Sequence, residues 1–178
     1  FRVASGGGPM TVIATDGYAV VPVSADSLIV GMGERYDVLV TAPETGTLPV
    51  VAQVESRSAQ VMSVLRVGGA SLPKAPPSVA GLGETPLSLS QLRVTEAGDL
   101  KSRPADVDYN VTLNGGMMGS DWSLDVSAID GVTMPIRQGQ RVRLTFTNNT
   151  MMWHPMHLHG HTYQVITASG DGPRKDTV

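Results

Sequence analysis

Trp153-His154-Pro155-Met156-His157-Leu158-His159-Gly160-His161 holds all four histidines of this 178-residue chain. Neutral imidazole is the commonest metal ligand in proteins. In an extended segment, side chains alternate between faces, so His157 and His159 project to one side and Leu158 to the other. His154 stands three residues before His157, beside a proline that cannot donate to a β-ladder. It need not share their direction, so the spacing suggests two metal destinations rather than one closed site. The competing reading is a surface histidine cluster or a tag-like tract. A tag is terminal and monotonous, whereas this run is interleaved with Pro, Met and Leu and flanked by strand-like sequence.

Working outward, Arg141-Val142-Arg143-Leu144-Thr145-Phe146-Thr147 alternates apolar and polar residues, which predicts a half-buried strand ended by Asn148-Asn149. After the histidines, Tyr163, Val165 and Thr167 alternate with Gln164, Ile166 and Ala168, and Gly170-Asp171-Gly172-Pro173 reads as the next turn. Tyr109, Val111 and Leu113 alternate with Asn110 and Thr112 before Asn114-Gly115-Gly116 turns the chain. Met117, Met118 and Trp122 follow on a predicted loop. Their plain role is filling gaps at a core edge. With Met151, Met152 and Met156 they could instead make a soft thioether surface near a metal entry path.

The N-terminal half reads the same way. Met10–Ala14 is a β-branched run closed by Thr15-Asp16-Gly17, and Tyr18–Val23 is a strand that Pro22 should interrupt. Leu28–Val30 leads to Gly31-Met32-Gly33. In Glu34-Arg35-Tyr36-Asp37-Val38-Leu39-Val40, Tyr36, Val38 and Val40 share one face, and Arg35 and Asp37 share the other and are expected to pair. With no other titratable residue clustering beside them in sequence, they read as scaffold. Leu48–Val54 and Gln60–Val67 complete a first unit. From Gly68 to Pro86 the composition turns to Gly, Pro, Ala and Ser, and Pro76-Pro77 bars regular pairing, so this stretch reads as a stiff linker lying on a neighbour's surface.

Composition supports an all-β chain. Gly 20 and Pro 12 supply many turns, and aromatics are only 4%, so the core is built from Val, Leu, Ile, Ala and Met. A net charge of −3 without a basic run argues against nucleic acid or an anionic membrane as partner. No apolar stretch approaches a membrane span. The division predicted is 1–67, a linker over 68–105, and 106–178.

His-Pro-Met-His-Leu-His-Gly-His closely resembles the first copper-ligand motif in the last cupredoxin domain of multicopper oxidases, which include laccases and cuprous oxidases. Asp16-Gly17 with Gly33-Glu34-Arg35-Tyr36-Asp37-Val38-Leu39-Val40 resembles the second cupredoxin domain of the same enzymes, and the strand before Asn114-Gly115 the opening of the third. The resemblance covers roughly residues 8–42 and 106–168. It implies cupredoxin-like Greek-key β-sandwiches in two units, each incomplete, with exposed edges. It implies His154 as a type-1 copper ligand, His157 as the type-2 ligand and His159 as a type-3 ligand, with no ligand role for His161. It further implies dioxygen and a small reducing substrate (phenol-like, or cuprous ion) as partners, and an extracytoplasmic location.

A type-1 site also needs a thiolate, and this chain has no cysteine. The family supplies one in a His-Cys-His motif downstream of the segment present here, and two His-x-His pairs upstream. The chain then reads either as a slice of a longer polypeptide, inactive alone, or as a degenerate homologue; Phe1, which is not an initiator methionine, and Val178, which falls where a strand is starting, favour the slice. The partners it would need include the missing cupredoxin domains. The alternative is a copper- or zinc-binding module without turnover, since zinc also takes His-x-His. A cupin, another β-fold using His-x-His, is disfavoured because no Glu follows Glu96.

Overall fold

The computed structural model describes residues 1–101, 103–116, 121–126 and 133–178. Contacts divide the chain into two compact units, Phe1–Leu100 with Pro155–Val178, and Lys101–His154.

In the first unit the strands are β1 (Arg2–Ser5), β2 (Met10–Thr15), β3 (Tyr18–Ala25), β4 (Leu28–Ile29), β5 (Tyr36–Leu39), β6 (Gly46–Gln53) and β7 (Gln60–Val67). They form two antiparallel sheets, ordered β4-β1-β6-β7 and β3-β2-β5. One buried cluster joins Met10, Val12, Val20, Ala25, Leu28 and Leu92; a second joins Ala4, Val51 and Val79. Both are aliphatic, as the scarcity of aromatics requires.

β2 and β3 join through a two-residue turn, Asp16 at φ 47° and Gly17 at φ 86°, with Thr15 opposite Tyr18. Such a pair of left-handed residues matches the right-handed strand twist, which is why Asp-Gly is favoured there. Pro22 does not interrupt β3. The strand runs to Ala25, because β3 is the outer strand of its sheet and the β2–β3 ladder is bulged between Val12 and Ala14, where a missing N–H is tolerated.

The proline-rich stretch is anchored rather than free. Val79 and Leu92 are buried, Leu87 bridges Leu28, and Val94 bridges Val20. Two short 3-10 helices, Ala80–Gly83 and Leu89–Gln91, set these anchors, the second closed by a Ser88/Gln91 capping box.

In the second unit β8 (Val107–Asn114) lies between β9 (Ser123–Val126) and β10 (Val142–Asn148). β9 pairs antiparallel and β10 parallel. Tyr109, Val111 and Leu113 are buried, as their alternation requires. Gly115 (φ 155°) has a reason to be glycine: a Cβ would run into the Trp122 ring. β10 is more exposed than its pattern suggests, with Phe146 36% exposed. Trp122 is 46% exposed and fills no core edge, a departure from its expected role. Met117 and Met118 lie outside the described residues.

The last hairpin, β11 (Tyr163–Thr167) and β12 (Gly170–Lys175), belongs to the first unit. Its turn is Ala168-Ser169, not residues 170–173 as predicted. Gly170 at φ 101° takes the left-handed position, the Thr167 hydroxyl donates to the Gly170 carbonyl, and Gly172-Pro173 continue as buried strand.

Candidate metal centre

In the first unit, His157 lies on an isolated antiparallel bridge to Thr177, and the Met156 and Val178 backbones exchange hydrogen bonds of 2.6 and 3.0 Å. The His157 and His159 rings are 5.0 Å apart between centroids, at 61°. The alternation therefore does bring these two imidazoles side by side. His157 Nδ1 lies 2.9 Å from the Asp176 carbonyl oxygen. A carbonyl only accepts, so Nδ1 carries the proton and donates. Nε2 is left with its lone pair, on a side chain 45% exposed. Fixing one ring nitrogen on a carbonyl to free the other is how proteins prepare a histidine for a metal.

The Asp176 carboxylate is clamped by both terminal nitrogens of Arg35, at 2.6 and 3.1 Å, and accepts the Thr177 hydroxyl at 2.9 Å. These bonds, the guanidinium first, hold its pKa down at about 2. Arg35 thus pairs with Asp176, not with Asp37 as its strand register suggests. A bidentate fork on a carboxylate is stronger than a diagonal pair on one exposed face.

Behind this lies a group of charges that sequence reading missed. The Lys175 ammonium is fully buried, 3.2 Å from Asp16 Oδ2 and 3.1 Å from Glu34 Oε1, and 4.9 Å from the centroid of the Tyr36 ring. Neither carboxylate lies along a hydrogen-bond direction from the ammonium, so the attraction is that of close, misaligned charges. Burial, with Glu34 adding to it, pushes the Tyr36 hydroxyl well up from its ordinary pKa. So Arg35 does have titratable company: Asp16, Glu34, Lys175 and Asp176. Separations of about 140–160 residues hide the cluster from any local pattern.

His161 faces the same open cavity as His157, about 290 Å³, which is also lined by Tyr18, Gly160, Thr162 and Asp176. Its Nδ1 lies a long 3.3 Å from the His159 carbonyl.

In the second unit, His154 ends the chain's path. Its Nε2 lies 2.6 Å from Thr150 Oγ1. Asn148 Nδ2 donates to the Met152 carbonyl at 2.8 Å, which fixes the amide and leaves Asn148 Oδ1 to accept the Thr150 hydroxyl at 2.7 Å. Thr150 has then spent its one proton, so His154 Nε2–H donates to it and Nδ1 keeps the lone pair. The Trp122 ring meets the imidazole edge-on at 5.3 Å. Met151 and Trp153, 91% and 70% exposed, flank this loop.

Among the described residues no group of three or more His, Cys, Asp or Glu is placed to hold a metal ion. What is present is a partial donor set of imidazoles with free nitrogens, the ligand type that suits copper and zinc.

Two family models described as multicopper oxidase match the chain, one over residues 1–70 and one over 102–178. The chain belongs to the multicopper oxidase family. It is 41% identical over 180 residues to multicopper oxidase MmcO of Mycobacterium tuberculosis, a match covering all of this chain and 36% of that protein. Its fold is similar to the laccase of Botrytis aclada (TM-score 0.65, 20% identity, 99% of this chain and 41% of that one). It is also similar to Fet3p, a multicopper oxidase that functions in iron import (TM-score 0.67, 16% identity, 99% of this chain and 45% of that one). The all-β, cupredoxin-like reading stands, and copper is the metal that the family implies. The chain spans between a third and a half of the length of each of these relatives.

Proposed function

We propose that the protein carrying this chain couples one-electron oxidation of a small reducing substrate to the four-electron reduction of dioxygen to water. The substrate is phenol-like or cuprous ion. His154 is a type-1 copper ligand through Nδ1, His157 the type-2 ligand through Nε2, and His159 a type-3 ligand. When bound, copper would supply the one-electron redox chemistry. This chain's own contribution is to hold imidazole nitrogens deprotonated and aimed. We propose the domain division 1–67, linker 68–105, and 106–178, which the two family matches support. The remaining ligands come from cupredoxin domains outside this sequence, and the protein works outside the cytoplasm, as the family resemblance implies.

The observation that carries the reading is the His157 ring, locked by Nδ1–H on the Asp176 carbonyl with a second imidazole 5.0 Å away. The chain by itself, with two adjacent imidazoles, is a weak copper or zinc module without turnover.

The test is copper counting and visible spectra on four single His→Ala variants of the full gene product. Replacing His154 should remove blue absorption and leave the other coppers bound. Replacing His157 or His159 should leave a blue protein that does not consume oxygen. Replacing His161 should do neither. The assignment fails if the His161 variant loses copper as badly as the His159 variant.

A further inference from the structure

The Asp16-Gly17 turn needs an Asp, Asn or Gly at position 16 for its left-handed backbone. It does not need a carboxylate. Yet the Asp16 carboxylate is wholly buried. Its Oδ1 accepts the Arg35 N–H at 2.9 Å. Its Oδ2 accepts two consecutive amides, Asp176 N–H at 3.1 Å and Thr177 N–H at 3.2 Å. Burying a charge is costly unless it is paired and hydrogen-bonded, so this carboxylate is held for something beyond the turn.

The Thr177 N–H and the Asp176 carbonyl belong to one planar peptide and point in opposite directions. Asp16 grips the N–H side. His157 Nδ1 grips the carbonyl side, at 2.9 Å. We infer that Asp16 is a positioning residue for His157, acting through the Asp176–Thr177 peptide. The inference rests on the reading of His157 as a copper ligand. A carboxylate on the N–H polarises the peptide and strengthens its carbonyl as an acceptor, since hydrogen bonds in a chain reinforce one another. That stronger acceptor keeps the proton on Nδ1, fixes the ring plane, and makes Nε2 the better donor to a metal. Lys175 and Glu34 complete the buried charge set around Asp16, and Arg35 holds the outward carboxylate of Asp176. A turn of the β3-β2-β5 sheet thus sets the orientation of a ligand 141 residues later.

The test uses the metal-free full gene product with nitrogen-15 histidine, the His157 signals being assigned by their loss in His157→Gln. The wild-type ring should show a protonated Nδ1 and a bare Nε2. Asp16→Asn keeps the turn but cannot accept at both side-chain atoms, and should give a mixture of tautomers with faster ring exchange. Glu34→Gln, which alters the same buried cluster without touching the two amides, should keep the wild-type tautomer. With Cu(II) alone as titrant, Asp16→Asn should weaken binding at the His157 site by about tenfold and change its electron paramagnetic spectrum. If Asp16→Asn does not fold, a scalar coupling across the hydrogen bond between the Thr177 amide nitrogen and the Asp16 carboxyl carbon in the wild type decides, and its absence overturns the inference. So does a folded Asp16→Asn with an unchanged His157 tautomer, or an equal shift in Glu34→Gln. A wild type that binds no copper at this site defeats the functional reading instead, because the tautomer is read without metal.

Discussion

His157 and His154 stand three residues apart in the chain and are held by opposite means. His157 leans chiefly on a backbone carbonyl, with the Thr177 hydroxyl oxygen at 3.2 Å beside it; that backbone is pinned by a buried carboxylate, and an arginine fork holds the Asp176 side chain. His154 leans on one threonine hydroxyl in a loop whose neighbours are largely exposed. The two rings also donate from different nitrogens, Nδ1 in the first case and Nε2 in the second. A backbone acceptor cannot be removed by changing a side chain, whereas a hydroxyl can. The first site should therefore yield only to changes that release the peptide carrying its acceptor, as Asp16→Asn does, and the second to loss of a single hydroxyl.

The largest effect should come from the charges beneath His157. Lys175→Ala leaves Asp16 and Glu34 buried without their cation, and breaking a buried pair in this way costs about 3–5 kcal/mol. Arg143→Ala, which removes an exposed pair with Asp108 in the second unit, should cost less than about 1 kcal/mol. Urea unfolding of both variants checks this. Equal losses would mean that the buried cluster contributes no more than a surface pair.

Next is the core. Leu92 is 1% exposed although it lies in the stretch that reads as a linker. Leu92→Ala should cost about 2–4 kcal/mol, and Phe146→Ala, on a strand with an open face, about 1 kcal/mol. A Leu92→Ala cost below that of Phe146→Ala would show that the stretch only rests on the first unit.

These contrasts also mark what the sequence could tell. The histidine motif and the strands with clean alternation, such as Tyr109-Val111-Leu113, were legible because both signals are local. Pro22 misled because tolerance of proline depends on a strand's place in its sheet and on a bulge, which only the tertiary pairing sets. Leu92, in the stretch that reads as linker, misled because it is buried against Met10, Val12, Val20, Ala25 and Leu28, more than 60 residues before it. Lys175 reads as a solvated residue in Gly172-Pro173-Arg174-Lys175-Asp176, and nothing in that string announces Asp16 and Glu34. Arg35 was assigned its neighbour on the strand because its true partner, Asp176, is 141 residues on.

A smaller effect concerns acid. The Asp176 pKa is held at about 2 by Arg35, below the ordinary carboxylate value of 3.8. The folded value is the lower one, so the pairing stabilises fully above the ordinary value and is lost as pH falls through about 2. Asp176→Asn should be less stable than wild type at neutral pH, and the gap should close on acidification across that window. A gap that does not narrow would place the stabilisation elsewhere.

The smallest effect on stability, and the sharpest on the comparison, belongs to Thr150→Val. The hydroxyl it removes is partly exposed, so the loss should be about 0.5 kcal/mol, near the lower end for a single hydrogen bond. The ring of His154 should respond far more than the fold does. Without Thr150 Oγ1 it has lost the acceptor that places its proton on Nε2, and among the described residues the edge contact with Trp122 is what remains to orient it. Nitrogen-15 shifts of His154 should then move towards a mixture of tautomers, while those of His157 stay put, because its acceptor is a carbonyl in a strand anchored from the other side. In the full gene product the same variant should disturb the blue band and spare the remaining coppers. If His154 keeps a single tautomer in Thr150→Val, the hydroxyl is a bystander and the contrast between the two histidines loses its chemical basis.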